Sequence, residues 1–257
     1  MAARKMGYPP SHDHSMKIEK IFLWLLGIFF LFPILPSVDG LAESLDRWQG
    51  KNPFSRGAPL RISYGNGIFV AAGESGSLYT SSDGADWKEE SSGTDRSLRD
   101  VAYGGGTFVA VGGGGTILSS PDGVIWTWRD SGTGYDLNGV GYGQGTFVAV
   151  GDGGVILTSP DGLTWRMRDS GTHQGLNKIA FGKDTFVAAG RNGTLLASPD
   201  GAGWKAQASG TGGHLDGVVH GKNIFVAVGE AILTSPDGVT WTERTTPTNH
   251  HFFVSFR

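Results

Sequence analysis

Apolar residues along this chain come in short, dense runs separated by glycine, not on the 3.6-residue stripe of an amphipathic helix. The run Gly106-Thr-Phe-Val-Ala-Val-Gly112 returns unchanged at Gly145 to Gly151, and related runs fill the same slot before and after. Equivalent phenylalanines fall at Phe69, Phe108, Phe147, Phe186 and Phe225, each 39 residues from the next. A repeat of about 40 residues carrying several short strands lies in the range of β-propeller blades. Within one unit, Leu98–Tyr103, Thr107–Val111, Thr116–Ser120 and a stretch around Trp126–Arg129 read as four strands. Runs such as Phe-Val-Ala-Val are apolar on both faces, as a sheet sandwiched between neighbouring sheets requires. The expected fold is therefore an all-β propeller of four-stranded blades.

Glycine and aspartate mark the turns. Of 257 residues 43 are glycine, far above the usual ~7%, and they recur at fixed places in each unit. Asp83-Gly84, Asp122-Gly123, Asp161-Gly162, Asp200-Gly201 and Asp237-Gly238 each precede a tryptophan: Trp87, Trp126, Trp165, Trp204 or Trp241. Ser-Pro-Asp-Gly suits a hairpin closure in which proline presets φ, the carboxylate accepts turn amides and glycine takes positive φ. The regular aspartates thus read as turn formers and the tryptophans as packed aromatics. Trp-to-Trp spacing is 39 residues until the last unit, where it drops to 37 because Gly229-Glu-Ala231 shortens the hairpin between the second and third strands.

Ser159-Pro-Asp-Gly-Leu-Thr-Trp165 and Ser235-Pro-Asp-Gly-Val-Thr-Trp241 resemble the Asp-box, or BNR, repeats of sialidase-like propellers and of photosystem II assembly and stability factors. The resemblance extends from about residue 48 to the end. It departs in that Asp and Gly are adjacent here, whereas the usual box separates them, so no family activity is carried over.

Both ends carry fragments of the pattern. Trp48 lies 39 residues before Trp87, so Leu45–Gly50 reads as a fourth strand, and Phe252–Phe256 reads as the start of a first strand. The expectation is five complete blades plus a partial sixth from the two termini, or a chain truncated from a longer propeller. Residues 1–42 form a leader: the 15-residue apolar run from Ile21 to Leu35 follows Lys17 and Lys20 and precedes Gly40-Leu41-Ala42. That is the pattern of a signal peptide, with Met16 a plausible true start, and the run falls short of the ~20 residues a spanning helix needs. The propeller domain then spans 43–257 and is extracytoplasmic, periplasmic or secreted; an uncleaved leader would instead anchor it to a membrane.

Charge and composition narrow the chemistry. A formal net charge of −3 supplies no basic footprint for nucleic acid. With no cysteine, disulfides and thiolate metal sites are excluded. The glycine-rich stretches lead into strands, not a helix amino terminus, so no phosphate loop is expected. Asn192-Gly-Thr194 matches a glycosylation acceptor, but the turn preference of Asn-Gly accounts for it. No cofactor is assigned. His173, His214, His250 and His251 invite a metal reading, yet a spacing of about 40 fixes no ligand geometry, and no metal is assigned.

Function is sought where the repeats disagree. After a near-constant Ser-Gly-Thr, each unit has a variable triplet: Asp95-Arg96-Ser97, Gly134-Tyr135-Asp136, His173-Gln174-Gly175, Gly212-Gly213-His214 and Asn249-His250-His251. Because strands alternate in direction, these blade-to-blade connectors should share a face with the second-to-third-strand tips, which carry Glu74, Asp152, Arg191 and Glu230. A constant frame with variable loops on one face is how repeat scaffolds present a binding surface. The expected contact residues are Arg96, Tyr135, Asp136, Asp152, His173, Arg191 and His214, and the expected partner is a protein or a glycan. A sialidase-like hydrolase needs an arginine cluster and paired catalytic groups, and no such set emerges. The leading reading is a non-catalytic scaffold, the alternatives being a glycan-acting hydrolase or a non-functional fragment.

Overall fold

A computed structural model of the chain describes residues 59–244. The leader, the strand expected at Leu45–Gly50, the strand expected at Phe252–Phe256 and the triplet Asn249-His250-His251 lie outside the described residues. Between Pro59 and Arg244 the chain forms five four-stranded antiparallel sheets, each a simple meander. Blade 1 comprises β1 (Pro59–Gly65), β2 (Ile68–Gly73), β3 (Leu78–Ser81) and β4 (Lys88–Glu90). Blade 2 comprises β5 (Leu98–Gly104), β6 (Thr107–Gly112), β7 (Thr116–Ser120) and β8 (Thr127–Arg129). Blade 3 comprises β9 (Leu137–Gly143), β10 (Thr146–Gly151), β11 (Ile156–Ser159) and β12 (Arg166–Arg168). Blade 4 comprises β13 (Leu176–Gly182), β14 (Thr185–Gly190), β15 (Leu195–Ser198) and β16 (Lys205–Gln207). Blade 5 comprises β17 (Leu215–Gly221), β18 (Ile224–Gly229), β19 (Ile232–Ser235) and β20 (Thr242–Arg244). The fold is a β-propeller, with first strands β1, β5, β9, β13 and β17 packed in series along the inside.

The cores lie between blades, which is why the second strands are apolar on both faces. Val70, Ala72 and Leu78 of blade 1 pack against Leu98, Val101, Phe108 and Leu118 of blade 2, and the same set recurs at the next three junctions. Phe108, Phe147, Phe186 and Phe225 are fully buried. The first strands of blades 1 to 4 end in a glycine because the next blade's aromatic ring fills the space: a Cβ on Gly65 would lie 2.1 Å from the Tyr103 ring. His220 takes this slot in blade 5, its ring 4.6 Å from that of Phe225, with Nε2 buried and unpartnered among the described residues. Burial pushes its imidazole below the ordinary value.

The Asp-Gly turns close as the sequence suggests. Asp122 Oδ1 accepts the amides of Val124 and Ile125, both at 2.9 Å, while Ser120 Oγ accepts that of Gly123 at 2.8 Å. Gly123 has φ +74°. The turn tryptophans Trp126, Trp165, Trp204 and Trp241 are half-buried against blade junctions, and each indole N–H closes its turn; Trp126 Nε1 donates to Gly123 O at 2.8 Å. The fourth strand begins after this residue, at Thr127, which pairs with Ser119.

Candidate functional site

Connectors and hairpin tips meet on one face. The tips are 3-10 turns at Glu74–Gly76, Gly113–Gly115, Asp152–Gly154 and Arg191–Gly193. Their central residues adopt positive φ: Ser75 +52°, Gly114 +60°, Gly153 +69° and Asn192 +53°, a conformation glycine and asparagine take most readily. The closing glycine of each tip presses on the following connector; a Cβ on Gly115 would lie 2.0 Å from Thr133 O. Residues from the two flanking connectors then grip the tip. Arg96 donates to Gly114 O at 2.8 Å from one side, and Asp136 Oδ1 accepts from Gly114 N at 2.7 Å from the other. On blade 4, Asn192 N donates to His214 Nδ1 at 3.1 Å and Asn192 Nδ2 to Gln174 Oε1 at 2.7 Å. On blade 3 the Tyr135 ring lies over the tip, 3.1 Å from where a Cβ on Gly153 would sit.

A polar belt runs just inside these clamps. Arg99 on β5 donates to Asp136 and to Asn138. Asn138 Nδ2 donates to Asp152 Oδ1 at 3.1 Å, and Arg191 lies 3.5 Å from the same oxygen. The Gly114 amide, and after it Arg99, hold the Asp136 carboxyl below the usual carboxylate range, because both stabilise its charged form. Deeper, Lys178 on β13 reaches across Gly139 to Asp100 on β5, Nζ to Oδ2 2.7 Å, and Val140 N donates to that same oxygen at 3.0 Å. Burial pushes the Lys178 ammonium below its ordinary value, with Asp100 opposing the shift.

The seven residues expected from sequence are therefore all on the connector and tip elements of this face. Arg96, Asp136 and His214 are tip clamps, Asp152 and Arg191 are tip residues facing one another, and Tyr135 and His173 are exposed. Tyr135 and His173 line one open groove of about 980 Å³ over blade 3, between its two flanking connectors. Among the described residues no group of three or more His, Cys, Asp or Glu side chains is placed to hold a metal. Sequence reasoning missed Arg99, Asn138, Asp100 and Lys178. Their signal was present: they are polar interruptions within otherwise apolar first strands.

No protein-family model matches the chain, and no curated protein matches it. Among solved structures, YCF48 bound to D1 peptide superposes with a TM-score of 0.57 at 18% identity, over 76% of this chain and 70% of that one. An ancestral GH74 enzyme gives 0.60 at 12% identity, over 75% of this chain and 32% of that one. The nidogen/laminin complex gives 0.54 at 13% identity, over 70% and 76% respectively. These likenesses show the fold. At such identities they assign no activity.

Proposed function

We propose that this chain is an exported, non-catalytic propeller scaffold that binds a protein partner through the connector-and-tip face. The observation that carries the reading is that the repeats diverge in charge and aromatic content on a face whose loops are gripped from both sides. Loops fixed in this way lose little freedom on binding, which is how preorganisation favours affinity. Two of the propellers it resembles were solved with protein or peptide partners, YCF48 with D1 peptide and nidogen with laminin. The Ser-Pro-Asp-Gly turns are read as variant Asp-boxes, shortened by one residue. A glycan partner is the alternative ligand for the same face.

Hydrolysis has less in its favour. A glycosidase needs one carboxyl held protonated beside a second carboxylate, whereas Asp136 is held in the ionised form by an amide and a guanidinium. The basic-then-apolar leader supports export, and amino-terminal sequencing of exported material should begin near Glu43. Binding is tested by affinity purification with two composite variants. Alanine at Arg96, His173 and Arg191 should abolish recovery of a partner that the wild type retains, while alanine at Gln144 and Lys183, in the opposite-face turns, should not. The reverse pattern would refute the assignment.

A further inference from the structure

The inner strand of blade 5 is held at both ends by imidazoles, in a way no other described blade repeats. At the end of each internal junction an aromatic ring lies on the glycine that closes the preceding first strand: Tyr103 on Gly65, Tyr142 on Gly104 and Phe181 on Gly143. Between blades 4 and 5 that ring is His220, and a Cβ on Gly182 would lie 2.1 Å from it. At the opposite end of the strand, the residue 22 positions after the centre of a hairpin tip caps the tip amide, as Asp136 does for Gly114. That residue is Ser97, Asp136, Gly175 or His214 in turn, and His214 caps blade 4, its Nδ1 accepting from Asn192 N at 3.1 Å.

Both contacts need neutral rings. His214 accepts through Nδ1, and a protonated imidazole has no lone pair there, since both of its nitrogens are donors. His220 Nε2 is buried with no partner among the described residues, so a proton added there would leave a charged donor unsatisfied in the junction. Of the charged side chains on the turns beside His220, Lys183 and Asp184 of blade 4 and Lys222 of blade 5, it is Lys183 that acts on the ring, and it repels an imidazolium. Phe225, 4.6 Å away across the sheet, brings no charge. Burial, and after it Lys183, hold the His220 imidazole below its ordinary value. The elements that meet His214 carry Arg191, Asp216 and Glu230, and the Asn192 amide is given to none of them.

We propose that the junction between blades 4 and 5 is an acid-operated latch, in which protonation of His220 and His214 loosens β17 from blade 4 and frees the blade 4 tip while the other junctions stay closed. It does not depend on which partner the connector-and-tip face binds. Tyrosine and phenylalanine, which fill the His220 slot elsewhere, take up no proton near neutral pH, and the Asp136 cap of blade 2 is a carboxyl held below the usual range. A freed imidazole takes its proton near 6.5 and the seated His220 only at lower pH, so the latch is complete above that value and is released as pH falls below it. The apolar set shared by the two blades, Val187, Ala189 and Leu195 with Leu215, Val218 and Phe225, does not titrate, and Asn177 Nδ2 donates to Leu215 O at 2.9 Å whatever the pH of the latch. Acid therefore loosens the strand without detaching the blade.

Hydrogen–deuterium exchange of the full chain at about pH 7.5 and about pH 5, corrected for the intrinsic pH dependence of exchange, reads the latch strand by strand. After correction, amides of Leu215–Gly221 and of the tip Arg191–Gly193 should exchange at least about tenfold faster at the lower pH. Those of Leu98–Gly104 and Leu137–Gly143 should be equally protected at both. His220→Phe, which puts in the slot the residue that Phe181 supplies one junction earlier, should remove the response of Leu215–Gly221. His214→Asn, whose amide oxygen can accept from Asn192 as the Asp136 carboxylate does from Gly114, should remove that of the tip. Cooperative urea transitions at the higher pH would show both variants folded. Equal protection of Leu215–Gly221 at the two pH values in the wild type, a uniform loss over all five first strands, or an undiminished response in His220→Phe would overturn the proposal, and the first two of these need no variant.

Discussion

Lys178→Met probes how the inside of the propeller is stitched together. Lys178 and Asp100 sit on blades 4 and 2, their side chains 14% and 11% exposed and their charged atoms 2.7 Å apart. Methionine retains most of the stem packing and deletes the ammonium, leaving Asp100 with the Val140 amide. Removing one partner of a buried pair typically costs ~3–5 kcal/mol. The retained amide and the slight solvent access put the expectation at the low end, about 3 kcal/mol, which is about a hundredfold in the folding equilibrium. Adding Asp100→Asn removes the stranded charge yet keeps an acceptor for Val140, so the double variant should lose only about 1 kcal/mol, since isosteric neutral replacement of a buried pair is often tolerated. Urea unfolding of wild type, both single variants and the double variant, at neutral pH, gives the coupling directly. A pair this close and this dry should also be nearly insensitive to salt. A single-variant loss under about 0.5 kcal/mol, or an additive cycle, would refute the reasoning, because surface-like behaviour would mean the two charges are not held together inside.

Gly162 and Gly171 share positive φ, +75° and +70°, but a Cβ on Gly162 would lie 2.8 Å from Val109 Cγ2 and one on Gly171 meets nothing within 4 Å. Gly171→Ala should therefore cost about 1–2 kcal/mol from conformation alone, and Gly162→Ala about 1–3 kcal/mol more from overpacking; equal losses in thermal or urea unfolding would contradict the packing. Amides of the residues three positions on, chiefly, hold the turn carboxyls below the ordinary aspartate value of 3.8, that of Asp237 at about 2. The unfolded chain binds more protons between those values, so this stabilisation is complete above pH 3.8 and is lost as pH falls toward about 2; Asp237→Asn should flatten that part of an acid-unfolding curve. Asp136→Ala should destabilise by about 1.5–3 kcal/mol because it accepts from Gly114 and Arg99, whereas His173→Ala should stay within about 0.5 kcal/mol, as paired melts would show.

The blades were legible because each copy of the 39-residue unit repeats the same turn chemistry, so Phe108 and Gly123 announce their roles five times over. Placing the connectors with the tips needed only the alternation of strand direction, and the bonds from Arg96 and Asp136 to Gly114 bear that out. What the pattern could not give was reach. Asp100 and Lys178 lie two repeats apart in sequence, and their pairing depends on Gly139 between them leaving room. Asp136 looked like a free loop acid because nothing local shows that a tip amide 22 residues earlier would seek it.

The central claim, that partners dock on the connector-and-tip face, is tested most directly by photocrosslinking in the native host. A benzoylphenylalanine introduced in place of His173 should yield a discrete adduct with a partner, and the same group in place of Lys183, in the turn between β13 and β14, should yield none. An adduct at Lys183 with none at His173 would contradict the account.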